Sequence, residues 1–198
     1  MAQKHTVSFI SLGCPKNLVD SEGLVSTLLS RGFRVLSDPK DADLVVVNTC
    51  GFLAASRRES VDAIKEAVAL KDGGVRGVLV AGCMVGNYKD QIEKEAPGVD
   101  RFVPFVDYSN IDSIAADLLP ENPSPSFTVE RRRVDAALTP GHYAYLKISE
   151  GCNHTCSFCV IPNIRGPMRS VPEDDLVARA RTFAERGVKE LVVIAQDS

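Results

Sequence analysis

Leu44-Val45-Val46-Val47-Asn48-Thr49-Cys50-Gly51 is the stretch on which the fold reading turns. Its first four residues are apolar without a break, and three of them are β-branched. A strand of that kind expects cover on both faces, as parallel sheets flanked by helices provide. Val78-Leu79-Val80-Ala81 carries the same sign, and weaker strand runs lie at residues 7–11, 33–36 and 101–103, the last as an edge. Between the runs sit helical patterns. One carries Leu18, Val19, Leu24, Val25, Leu28 and Leu29 and is closed by Gly32; another carries Val61, Ile64, Ala67, Val68 and Leu70 and is closed by Gly73-Gly74. Asn17 or Asp20 is expected to cap the first helix and Ser56 the second, with further helices through residues 91–95 and 111–119. This alternation is the βαβ rhythm of an α/β fold with a parallel sheet over residues 1–120.

The rhythm breaks at Pro120. Pro123, Pro125 and Pro140, with Asn122, Ser124 and Ser126, mark a linker over residues 121–140, with a short extended piece at 127–130. Beyond it the pattern reads as a strand at 143–148, a cysteine-bearing loop, a helix at 172–186 ended by Gly187, and a strand at 191–194. Residues 141–198 number 58, against about 250 for a closed (β/α) barrel. The expectation is a fragment holding the truncated start of a second domain.

Composition is that of a globular chain, 44% hydrophobic and 25% charged, with a net charge of −3. Arg131-Arg132-Arg133 is the one basic run and reads as a solvated linker segment, so no strong nucleic-acid footprint is expected. Residues 1–6 have no apolar signal core, and no apolar stretch approaches the ~18 residues that span a bilayer. A cytoplasmic location without membrane contact is expected, where thiols stay reduced. Six cysteines then point to metal or catalysis rather than to disulfides.

Three of them stand in Cys152-Asn153-His154-Thr155-Cys156-Ser157-Phe158-Cys159. A cubic iron–sulfur cluster takes a thiolate on each iron, so three ligands on one loop leave the fourth iron open. An open position marks a site that does chemistry. Zinc is the rival, but His154 lies inside the loop and no completing Cys or His pair follows at zinc-finger distance. Cys14, Cys50 and Cys83 are spaced by 36 and 33 residues, each just past the end of an expected strand and ahead of an expected helix. The carboxyl ends of parallel strands share one rim, where open α/β sheets bind ligands, and helix N-termini favour a thiolate. Gly13, Gly51 and Gly82 beside them allow close backbone approach. Three thiolates converging on a second metal site are therefore expected, against the plainer reading of three small buried hydrophobes.

Ser11-Leu12-Gly13-Cys14-Pro15-Lys16-Asn17-Leu18-Val19-Asp20-Ser21-Glu22, Asn48-Thr49-Cys50-Gly51-Phe52 and Glu150-Gly151-Cys152 through Cys159 together resemble the radical S-adenosylmethionine methylthiotransferases. The resemblance spans the chain: the family's N-terminal domain and the opening of its radical SAM partial barrel. It implies two 4Fe–4S clusters, one on Cys14, Cys50 and Cys83 and one on Cys152, Cys156 and Cys159. It also implies S-adenosylmethionine, with Phe158 against the adenine and Gln196 at the methionine amino group. Cleavage of the sulfonium by one electron would give an adenosyl radical that takes a substrate hydrogen, and the first cluster would present the sulfur. Pro15-Lys16 and residues 160–170 resemble the branch that modifies the β-carbon of an aspartate in a small-subunit ribosomal protein; the transfer-RNA branch more typically has Gln-Met at 15–16. A flavodoxin-like reductant would be a further partner. Two readings stand beside it: a transfer-RNA methylthiotransferase, and a metal-binding recognition module inactive on its own. Asn17 is read as a helix cap, and Asp20 and Glu22 as first-turn helix residues.

Overall fold

The computed structural model describes residues 5–119 and 137–197. The linker reading over residues 121–136, the extended piece at 127–130 and the arginine run lie outside them. The first unit runs β1 (Thr6–Ser11), α1 (Pro15–Ser30), β2 (Arg34–Leu36), β3 (Leu44–Thr49), α2 (Ala54–Ala69), β4 (Gly77–Gly82), α3 (Met84–Asn87), α4 (Lys89–Glu95), β5 (Arg101–Val103) and α5 (Ile111–Asp117). Its five strands are all parallel and lie in the order β2-β1-β3-β4-β5. As the unbroken apolar runs require, every residue of β3 and β4 is buried.

Successive side chains of a strand point to opposite faces, and the core divides accordingly. Val45, Val47, Val78 and Val80 pack with Val61 and Ile64 of α2 and Ile92 of α4. Leu44, Val46, Leu79 and Ala81 pack on the other face with Leu24 and Leu28 of α1 and Ile111 and Ala115 of α5. Each fully buried Leu, Ile or Val contributes about 1.5–3 kcal/mol, so the sheet is held from both sides.

Two expected caps are corrected. Helix α1 opens at Pro15 with Cys14 as its N-cap residue, and neither Asn17 nor Asp20 caps it. Proline suits the first helical position because its missing amide would be unpaired there anyway. Asp20 and Glu22 therefore lie beyond the first turn, and both are buried. Helix α2 opens at Ala54 after Leu53 with no side-chain cap, so Ser56 lies inside it.

After residue 137 come β6 (Tyr143–Lys147), β7 (Ser149–Glu150), α6 (Ile161–Arg165), β8 (Arg169–Ser170), α7 (Glu173–Glu185) and β9 (Glu190–Ile194). Strands β6 and β9 pair in parallel and β7 with β8 antiparallel. Phe183 of α7 packs on Ala144 and Leu146 of β6. The short α6 and the β7–β8 pair were not anticipated. Helix α1 lies against β6, and α3 against α6, so the two parts share an interface. No helix among the described residues is long and apolar enough to cross a membrane.

Candidate metal centre

Strands β1, β3 and β4 are neighbours in the sheet, and Cys14, Cys50 and Cys83 follow their carboxyl ends. The three loops touch in series. A Cβ added to Gly13, whose φ is +90°, would lie 2.6 Å from the Cβ and 2.9 Å from the Sγ of Cys50. A Cβ added to Gly51 would lie 2.9 Å from the carbonyl oxygen of Cys83. The backbone beside Cys14 thus rests on Cys50, and the backbone beside Cys50 rests on Cys83. Cys50 and Cys83 are buried, at 8% and 9% exposure, while Cys14 is open to solvent.

Asn17, placed by the first turns of α1, builds the floor. Its Nδ2 donates to the carbonyls of Leu12 at 2.7 Å, Thr49 at 3.1 Å and Asn48 at 3.3 Å. Asn48 donates in return to the Asn17 carbonyl and to Ser21 Oγ, each at 2.8 Å. The Cys50 amide donates to Ser60 Oγ at 3.0 Å. So Asn17 binds the cysteine loops and caps nothing.

Burial pushes the Cys83 thiol up, and the charge and hydrogen bond of Arg165 offset this only in part. Helix α3, four residues long, is too short to add much of a dipole. Cys50 stands clear of the α2 N-terminus, which begins at Ala54.

In the second trio Cys152 is buried, Cys156 exposed and Cys159 between the two. The loop is tied by the His154 amide to Cys152 Sγ at 3.4 Å and by the Cys159 amide to the Cys156 carbonyl at 3.0 Å. The ligand atoms of Cys152, His154 and Asp197 lie within 4.8 Å of one another; among the described residues neither cysteine trio is gathered so tightly. A single ion bonded to thiolates at about 2.3 Å would hold them within about 4.6 Å. Neither trio among the described residues is gathered closely enough for one ion to bond all three of its sulfurs.

Phe158 is 88% exposed and fills no part of the interior. Gln196 lies just past β9, in a groove of ≈ 360 Å³ that it lines with Lys16, Ile148, Val193 and Asp197. Its Nε2 donates to Glu150 Oε1 at 2.8 Å, while its Oε1 is buried with no hydrogen-bond partner among the described residues. Lys16 Nζ donates to the Ala195 carbonyl at 3.1 Å, joining α1 to this groove.

A largely buried charge cluster that the sequence reading missed runs from Cys83 of the first trio to Glu150, two residues ahead of the second. Arg165 Nη1 contacts Asp20 Oδ2 at 2.6 Å and Glu150 Oε1 at 3.1 Å. Lys147 Nζ contacts Asp20 Oδ1 at 2.6 Å and Glu150 Oε2 at 2.7 Å. Burial works against the charged forms of Arg165, Lys147 and Glu150. Even so, Arg165 and Lys147 together hold the Glu150 carboxyl below its usual range, and Asp20 with Glu150 holds the Lys147 ammonium above its own. Asp20 could have been found: it lies four residues before Leu24 and eight before Leu28, on the buried stripe of α1, where a charge needs a partner. Arg165 carries no such signal, being 145 residues from Asp20.

Residues 6–104 match the family described as "Uncharacterized protein family UPF0004", and residues 146–198 match the Radical SAM superfamily. The chain is 45% identical over 192 residues to a ribosomal protein uS12 methylthiotransferase RimO of Sulfurihydrogenibium sp. (strain YO3AOP1), covering 97% of this chain and 42% of that protein. Proteins of the same description from Cronobacter sakazakii (45% identity, 99% of this chain, 43% of the relative) and Trichlorobacter lovleyi (41%, 98% and 45%) are similar. The chain thus spans less than half the length of these relatives.

Proposed function

The chain belongs to the family UPF0004, and on that footing we propose that it is part of a radical S-adenosylmethionine methylthiotransferase acting on the β-carbon of an aspartate in a small-subunit ribosomal protein. One observation carries the reading. Three thiols follow three neighbouring strand ends, where glycines let the loops approach closely, and the second thiol trio precedes α6, which packs against α3 just past Cys83.

The residues fit two iron–sulfur clusters. Cys14, Cys50 and Cys83 would hold one and Cys152, Cys156 and Cys159 the other, each leaving one iron without a protein ligand. When bound, the clusters and S-adenosylmethionine supply one-electron chemistry, a sulfur atom and a methyl group that side chains cannot. The chain's own part is to bind, orient and shield. Asn17 and Asn48 fix the first three loops against one another. The buried Oε1 of Gln196, lacking a partner among the described residues, suits an ammonium donor such as the amino group of the methionine moiety. Phe158, exposed beside the second trio, is free to lie on an adenine. A flavodoxin-like reductant and a cytoplasmic setting complete the proposal.

Iron and acid-labile sulfide per chain, measured after anaerobic reconstitution, test it: about eight irons correspond to two clusters and about four to one. Zinc in their place would overturn the reading. Mass spectrometry of ribosomal proteins and of transfer RNA from a strain lacking the gene tests the substrate. A missing methylthio group on transfer RNA alone would reassign it.

A further inference from the structure

Arg165 is the last residue of α6, the short helix that follows Cys159. Its side chain is only 2% exposed. Its guanidinium reaches one cysteine of the first trio and, on its other side, a carboxylate just ahead of the second. Nη2 donates to Cys83 Sγ at 3.4 Å and to Asn17 Oδ1 at 3.3 Å. Nη1 takes Asp20 and both oxygens of Glu150; Glu150 stands two residues ahead of Cys152. The plane lies over the ring of Phe105, with Cζ 4.4 Å from the ring centroid.

The charge count gives this contact a purpose. Arg165 and Lys147 carry two positive charges, and Asp20 and Glu150 carry two negative ones. The cluster is therefore neutral before Cys83 is considered. A thiolate at Cys83 adds a negative charge on the side that Nη2 faces, and the N–H···S contact becomes charge-assisted. A planar fork with several donors can hold a sulfur and a carboxylate at once; an ammonium is a point charge and cannot reproduce both.

We infer that Arg165 is a positioning residue joining the two cysteine trios: one buried cation donates to the Cys83 sulfur of the first and anchors Glu150 at the root of the loop carrying the second. The inference rests on the reading of both trios as cluster ligands. Its consequence for the first site is electrostatic. Potentials of iron–sulfur clusters follow net charge, hydrogen bonds to sulfur and solvent exposure. A positive donor at Cys83 favours the more negative, reduced form and holds that cluster's potential up.

The test uses the reconstituted protein and the variants Arg165→Met and Arg165→Lys. Redox titration followed by electron paramagnetic resonance reads each cluster, with Cys152→Ala/Cys156→Ala/Cys159→Ala isolating the first. Melting of the iron-free proteins is recorded alongside. The expected result is a shift of the first cluster to a more negative potential in Arg165→Met and a smaller shift in Arg165→Lys, with the second cluster moved less. If Arg165→Met cannot hold the first cluster, Arg165→Lys keeps the charge and carries the comparison. A lower melting temperature with unmoved potentials in the variants would mark a purely structural role and overturn the inference. Wild-type protein that takes no iron at the first trio would instead overturn the proposed function, and the inference with it.

Discussion

Replacing Asn17 with alanine should cost far more than its polar character implies. The side chain is fully buried, and its Nδ2 reaches three carbonyls. Two of these have other donors: the Asn48 carbonyl also takes the Leu12 amide at 3.0 Å, and the Thr49 carbonyl takes the Cys83 amide at 2.9 Å. The Leu12 carbonyl depends on Asn17 alone among these three. One orphaned buried acceptor costs about 1–3 kcal/mol. The void left by the amide adds about 1 kcal/mol, giving roughly 2–4 kcal/mol in all. Urea unfolding of the iron-free, reduced chain, followed by circular dichroism because it has no tryptophan, measures this directly. Glu93→Ala, in an exposed ion pair with Lys89, serves as the control and should change stability by less than about 0.5 kcal/mol. If Asn17→Ala behaves like that control, the role of Asn17 as the tie between strand ends is refuted.

Gly13→Ala should destabilise by more than about 2 kcal/mol: left-handed φ alone costs an L-residue about 1–2 kcal/mol, and the new Cβ meets Cys50; urea unfolding and iron content of the first trio check it. Asp20→Ala leaves Arg165 and Lys147 sharing Glu150, and losing one partner of a buried pair costs about 3–5 kcal/mol. Since Glu150 remains, thermal melting should show a loss at the low end of that range. Ile64→Val, in the core between α2 and the sheet, should cost about 0.5–1.5 kcal/mol by the same unfolding assay. Phe158→Ala should leave stability unchanged, because the ring is largely in solvent, yet weaken S-adenosylmethionine binding by about 2–10-fold in calorimetry, the value of one aromatic stacking contact.

The parallel sheet was legible because Leu44-Val45-Val46-Val47 and Val78-Leu79-Val80-Ala81 leave no polar face, and a short run with no polar face fits a strand covered by helices on both sides. The rim position of Cys14, Cys50 and Cys83 followed from strand ends alone. Cap positions were misread because Ser56 and Asn17 are good capping residues by type. At α1, Pro15 starts the helix earlier; at α2, extended backbone at Leu53 leads into the helix without a side-chain cap. The ion cluster was hidden for a different reason. Arg165 meets Asp20 and Cys83 only after two parts of the chain dock, and no local pattern encodes a contact of that range. Helix α6 escaped because five residues opening with Ile161-Pro162 are too few for a periodic signal.

Since β1, β3 and β4 are consecutive in the sheet, the backbone hydrogen-bond lattice acts as a ruler for the sulfur atoms. Neighbouring strands stand about 4.8 Å apart, so the roots of the first and last thiol loops are fixed two graduations from each other whatever the helices do. Lengthening α2 by a turn would leave that scale untouched. Inserting a single residue within β3 would flip every side chain beyond it to the opposite face and carry Cys50 out of line with its two companions.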